Sequence, residues 1–168
     1  DDVAVKAVVD DVHPVDLAIA LEDIEDRDII YLATLLSDAT LADILEQADE
    51  NLQDNVMKLL DVNRIIQIFH FMSKDDIVDI LGDMPANRRK AIVNLMKFGD
   101  QQTIRNLLGY DENSAGGIMT TEYITVRNTM TVSQALEKVK EIAPKTEEIN
   151  TIYVLNEKKQ LVGTISIR

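Results

Sequence analysis

Cysteine and tryptophan are missing from this 168-residue chain, and glycine (6), proline (3) and aromatic residues (4%) are scarce. Without cysteine there is no thiol nucleophile, no disulfide and no thiolate cage for zinc or an iron–sulfur cluster. So few aromatics leave little from which to build a base-stacking platform. Basic residues are also short, 17 against 30 acids, and the net charge of −13 works against binding a phosphate backbone. Apolar runs stop at four or five residues, as at Leu17–Leu21. Crossing a bilayer takes roughly 18–20 residues, so this part of the protein is expected not to insert into a membrane. The start, Asp1-Asp2-Val3, is acidic and reads as lacking a signal peptide.

What is present suits a folded protein: 46% apolar and 28% charged residues, in a length that holds one domain, or one and part of another. The charge is uneven. Residues 1–117 carry 24 acids and 10 bases (−14), whereas residues 118–168 carry 6 and 7 (+1). The texture of the sequence changes at the same place.

The acidic part repeats every twelve residues. Ile24, Leu36, Ala48, Leu60, Met72, Met84, Met96 and Leu108 form one apolar series. Ala20, Leu32, Ile44, Val56, Ile68, Ile80, Ile92 and Ile104 form a second, four positions earlier. Cap and turn formers follow the first series at Ser37, Asp49, Asp61, Ser73, Pro85 and Gly109. Each unit reads as a helix of about two to three turns, apolar at i and i+4 and closed by a short turn. Such helices are marginal alone and must bury their stripe against neighbours, so the pattern predicts helical hairpins of about 24 residues stacked into a solenoid. An irregular bundle of helices that share a length is the plainer alternative.

From Asp111 the beat stops. Asp111-Glu112-Asn113-Ser114-Ala115-Gly116-Gly117 is a turn-rich joint. Beyond it, Tyr123–Val126 predicts a strand, and the Thr131/Gln134 capping box opens a helix that runs to about Ile142 and is stopped by Pro144. Thr151–Leu155 and Leu161–Ile167 predict a β-hairpin with its turn at Asn156–Gln160.

Catalytic signatures are missing: there is no glycine-rich phosphate loop, no nucleophile elbow, and no partner at metal-ligand spacing for His13 or His70. Both histidines read as structural, the methionines read as core filler, and the chain is not expected to be an enzyme. The remaining chemistry is carboxylate. On a helix capped by Ser73, Asp75 and Asp79 are one turn apart, and Asp76, Asp79 and Asp83 form a second, overlapping line. Two readings stand. The acids complement the positive end of the helix, or their mutual repulsion is relieved by a hard divalent cation among their oxygens. Asp43 is a lone acid on another helix.

Asn113-Ser114-Ala115-Gly116-Gly117-Ile118-Met119-Thr120, with Glu122-Tyr123 and Met130-Thr131-Val132, closely resembles the joint before the first CBS domain of MgtE-type magnesium transporters. His13-Pro14 with Asp16-Leu17, and Ser73 with Asp75, Asp76 and Asp79, resemble the same family's helical domain; Ile152–Lys158 and Leu161–Gly163 are similar to a CBS hairpin. Thr121 departs from the proline often found there. The resemblance implies a mainly α chain: a right-handed superhelical stack of short helices (an α-solenoid) over residues 1–116, then a partial α/β CBS domain over 117–168. It implies a magnesium sensor on the cytoplasmic face of the cell membrane, belonging to an integral membrane protein that is a homodimer when intact. Mg²⁺ would bridge the helical domain to the CBS domains and favour the closed pore. By position in the motif, Asp75 and Asp79 resemble the family's Mg²⁺ ligands, with Gly117 (through its carbonyl) and Asp43 as further contributors. The implied partners are the second CBS domain and the membrane domain of the same full-length protein. The competing expectation is a protein–protein adaptor built on a solenoid without metal sensing, like the middle region of the flagellar motor switch protein FliG.

Overall fold

The computed structural model describes residues 2–22, 24–111, 113–142 and 150–167. It divides into two compact units, Asp1–Ile118 and Met119–Arg168. Among the described residues the first unit contains only helices: α1 (Asp2–Asp11), α2 (Pro14–Leu21), α3 (Asp26–Leu35), α4 (Asp38–Gln47), α5 (Glu50–Leu59), α6 (Val62–Phe69), α7 (Lys74–Asp83), α8 (Ala86–Leu95) and α9 (Phe98–Leu107). No helix among them is long and apolar enough to cross a membrane.

The structure explains the number twelve. Where the beat is regular, ten residues are helical and the remaining two make the whole turn. The first is an apolar C-cap in extended conformation (Leu36, Ala48, Leu60, Met84 or Met96) and the second is the next N-cap. The first apolar series therefore lies one residue beyond its helices rather than inside them. An extended C-cap reverses the chain without glycine while its side chain stays in contact with the core. The polar residue that follows opens the next helix. Ser37 Oγ accepts from Thr40 N at 3.1 Å, Asp49 Oδ1 from Leu52 N at 2.8 Å, and Asp61 Oδ1 from Asn63 N at 2.9 Å. Each such cap is worth about 1 kcal/mol. His13 does the same for α2, its Nδ1 accepting from Val15 N at 3.4 Å.

The helices pack two apart in sequence: α2 on α4, α4 on α6, α6 on α8, and α3 on α5, α5 on α7, α7 on α9. This is the solenoid pattern of stacked hairpins rather than that of an irregular bundle. The second apolar series lies at its centre, with Ile68, Ile92 and Ile104 fully buried; Ala20, at the amino-terminal end, is the exposed exception. Methionines Met57, Met72, Met84 and Met96 are core residues, as expected. Phe69 and Met72 are buried, whereas His70 and Phe71, just beyond the eight-residue α6, face outward.

A brace repeats every 24 residues. The Arg64 Nη2 donates to the carbonyls of Ala33 (3.2 Å) and Leu36 (3.0 Å) at the end of α3. Arg88 Nη2 donates to Met57 and Leu60 (2.8 Å) at the end of α5. Each guanidinium thus satisfies helix-end carbonyls that the extended C-cap cannot. Arg64 Nε also lies 2.8 Å from Asp38 Oδ1, off the N–H direction, as an ion pair.

The second unit is a three-stranded sheet in the order β1 (Ile124–Arg127), β2 (Thr151–Leu155), β3 (Leu161–Ser166), with α10 (Val132–Ile142) between β1 and β2. β1 and β2 are parallel with Ile124 opposite Ile152, and β2 and β3 are antiparallel. Ile124, Val126 and Ile152 form its core, covered by Ala135, Val139 and Ile142 of α10. Thr131 N bonds Gln134 Oε1 at 2.9 Å, as the capping box requires. Pro144, expected to stop this helix, and Glu112 of the joint lie outside the described residues.

Arg88→Ala is expected to lower the unfolding free energy by about 2 kcal/mol, because two carbonyls lose a charged donor. Arg88→Lys should recover only part of that, since the ammonium keeps the charge but sits on a shorter, flexible stem and lacks the pre-organised planar guanidinium. Urea unfolding of the three chains measures both.

Candidate acidic groove

The candidate site grows from α7. Its first turn is held by Ser73, whose Oγ accepts from Asp76 N at 3.3 Å and donates to Asp76 Oδ2 at 2.5 Å. The Ser73 N–H donates to Glu46 Oε1 of α4 at 3.1 Å, so the cap is itself anchored. Lys74 Nζ pairs with Asp100 Oδ1 at 3.6 Å, joining α7 to α9. With its start fixed this way, α7 presents Asp76, Asp79 and Asp83 to one concave groove of ≈ 1060 Å³. These are positions i, i+3 and i+7 of a helix, a single face.

Of the two overlapping carboxylate lines in the sequence, the groove takes the second. Asp75 is half-buried and forms no part of the groove wall. Asp43 is exposed on α4 and is also outside it. Asp79 and Gly117, far apart in sequence, line it together. Gly117 is brought there by the joint: its N–H bonds the Ser114 carbonyl at 3.0 Å and Ser114 Oγ at 3.1 Å. The neighbouring Gly116 lies against the Tyr110 ring with no room for a Cβ, and Tyr110 is itself in the groove wall. That close approach is why a glycine stands at 116.

Sequence reasoning missed the rest of the wall. Asp49 and Glu50 face the groove from the start of α5, and Arg89 of α8 contributes a guanidinium. Arg89 Nη1 donates to Gly82 O (3.2 Å) and Leu81 O (3.4 Å) at the end of α7. The signal for it was available in outline. Gln53 reaches back eight residues to Leu45 O in the same way, so the long polar side chain near a helix start is a recurring cap.

Burial pushes the Asp76 carboxyl above its ordinary 3.8, the Ser73 hydroxyl opposes the rise by bonding the charged form, and Asp75 adds to it by repulsion. The donors fit a hard cation in kind, since carboxylate and carbonyl oxygens are what Mg²⁺ takes. They do not fit a closed cage: among the described residues no group of three or more His, Asp or Glu is gathered closely enough to hold a metal. An ion here would keep most of its water.

Residues 12–113 match the family model described as the MgtE intracellular N domain, and residues 115–168 match the CBS domain model. The chain is similar to the magnesium transporter MgtE of Thermus thermophilus (32% identical, 98% of this chain and 37% of that protein). It is also similar to that of Bacillus subtilis (26% identical, 97% and 36%). It therefore spans little more than a third of the length of either. Among solved structures, a cytosolic domain of the Mg²⁺ channel MgtE in complex with ATP superposes with a TM-score of 0.88 at 32% identity, covering 99% of this chain and 68% of that one. The soluble part of a magnesium transporter does so at 0.88 and 25% identity, covering 96% and 64%.

Because the folded state raises the Asp76 pKa, the acid form is favoured by folding, and stability is lost as pH rises through the raised value. Asp76→Asn, which keeps an oxygen for Ser73, should raise the urea midpoint at about pH 7, and the gain should vanish at about pH 3.5 where both side chains are neutral. Urea curves at the two pH values give the answer.

Proposed function

The chain belongs to the MgtE intracellular N-domain family, and on that footing we propose that it is the magnesium-sensing part of a magnesium transporter, an acidic surface that a divalent cation clamps to the CBS domains of the same full-length protein. The observation that carries this reading is the meeting of Asp79 and Gly117 in one groove with Asp76 and Asp83. The family resemblance points to Asp75 and Asp79, with Gly117 and Asp43 as further contributors, and of these Asp79 and Gly117 line the same groove.

The mechanism follows from charge. Residues 1–117 have a net charge of −14, so the groove repels any other acidic surface brought up to it. A divalent ion with its retained waters removes that repulsion and supplies oxygen contacts to both sides. It binds the clamped arrangement better than the open one and shifts the population by that difference. Residues on this side act by holding oxygens in place: Ser73 fixes Asp76, α7 aligns Asp79, and the Ser114 turn sets the backbone at Gly117. The facing carboxylates would come from the second CBS domain, and the clamped form would favour the closed pore. The intact protein would be a homodimer in the cell membrane with this part on the cytoplasmic side. Regulation, not catalysis, is the role we assign to it.

In the full-length protein reconstituted into liposomes, Asp79→Ala is expected to raise the Mg²⁺ concentration needed for closure by about tenfold, within the usual range of allosteric coupling. Asp43→Ala and Asp75→Ala, outside the groove, should each shift it much less. Ion flux against Mg²⁺ measures all three. Equal closure in Asp79→Ala and the unaltered protein would exclude the groove as the sensing surface.

A further inference from the structure

We infer that the outer face of α8 and α9 is a membrane-contact surface, which meets an anionic phospholipid bilayer through exposed cations and an exposed phenylalanine. The face stands out by its charge. Residues 86–107 hold five bases and one acid (+4), in a unit that is otherwise strongly acidic. That one acid, Asp100, is partly buried and paired with Lys74 of α7. Every exposed residue from 86 to 107 is basic, uncharged and polar, or apolar.

The exposed groups are neighbours. Arg105 Nη2 donates to Asn94 Oδ1 at 2.8 Å, which carries the α9 guanidinium onto α8. Asn94 is one turn from Lys90, and Phe98 is two turns from Arg105, so the four share one continuous surface. Lys97 stands next to Phe98 at the turn between the helices. Among the described residues no carboxylate pairs with Lys90, Lys97 or Arg105. Phe98 is 82% exposed and Leu95 60%.

A chain with a net charge of −13 would be expected to avoid an anionic leaflet, and screening is what removes the objection. The Debye length is about 8 Å at physiological ionic strength, less than the diameter of one helix, so acids on other faces are largely hidden from a surface that touches α8 and α9. Each cation near such a leaflet raises partitioning by about fivefold, so three give about a hundredfold. An aromatic ring among cations suits the headgroup boundary, where it buries apolar area without leaving its polar neighbours dry. An acidic partner helix fits less well. It would need a row of apolar anchors along one helix, whereas Leu95 and Phe98 come from two helices at a turn. The reading of the chain as part of a membrane transporter enters only in supplying a bilayer close by.

The test is sedimentation of the 168-residue chain with vesicles of phosphatidylcholine carrying about 30 mol% phosphatidylglycerol, and with phosphatidylcholine alone. EDTA is present throughout, so the result is independent of whether the α7 acids bind a divalent ion. The chain should follow the anionic vesicles only, and about 0.5 M KCl should release it. Lys90→Gln with Lys97→Gln and Arg105→Gln should lower partitioning by about a hundredfold. Lys6→Gln with Arg27→Gln and Lys58→Gln removes the same charge from other faces and should change it less than about twofold. Phe98→Ala should lower it by about tenfold while keeping the salt dependence. All these positions are exposed, and far-ultraviolet dichroism checks that each variant is folded. Equal binding to the neutral vesicles, or an equal loss in the two triple variants, would overturn the inference. So would an unchanged Phe98→Ala, or no sedimentation with either vesicle. Retention on immobilised polyglutamate without vesicle binding would assign the face to an acidic protein instead, and the bilayer would be the wrong partner.

Discussion

Ten residues of helix do not hold together in water, because nucleation costs more than fewer than three turns return. Every helix between α3 and α9 is at or below that length, and each persists because its apolar face is buried against a helix two along. The two-residue turn makes this possible. An extended apolar C-cap sends the chain back with its side chain still against the core, and a serine or aspartate at once satisfies the first amides of the next helix.

That constraint also distributes the acids. With one side of each short helix given to the core, carboxylates collect at helix starts and on outer faces. Several have structural work there: Asp49 and Asp61 cap helices, Asp38 pairs with Arg64, and Asp100 with Lys74. A large negative charge is therefore no measure of metal-binding capacity. The α7 acids Asp76, Asp79 and Asp83 share a concave wall with Asp49, Glu50 and the carboxyl-terminal joint.

The period, the caps and the strand–helix–hairpin order were legible because they are local: each depends on residues within one or two turns of one another. The first apolar series was placed inside the helices because periodicity reports which residues are buried, and a C-cap can be buried without being helical. Arg64 and Arg88 are 24 residues apart but look like ordinary surface arginines until their partners, about 30 residues upstream, are brought beside them. The same limit explains Asp75. Sequence spacing makes Asp75–Asp79 and Asp76–Asp83 equally good lines, and only the packing of α7 against α5 and α9 decides which faces the groove. The family resemblance supplied Gly117 and Asp43 beside Asp75 and Asp79, which no spacing argument could have done.

The alternation of packing partners gives the stack a parity. Apart from α8 on α9, odd-numbered helices lie mainly on odd and even on even, and the arginine braces tie an even helix to the end of an odd one. Adding or deleting one twelve-residue unit would exchange the two rows for everything downstream, so that a brace whose arginine and carbonyls lie on either side of the change would lose its register. A change of two units would restore the order. Growth and shrinkage of this architecture are therefore quantised in pairs of helices, although its sequence repeats in singles.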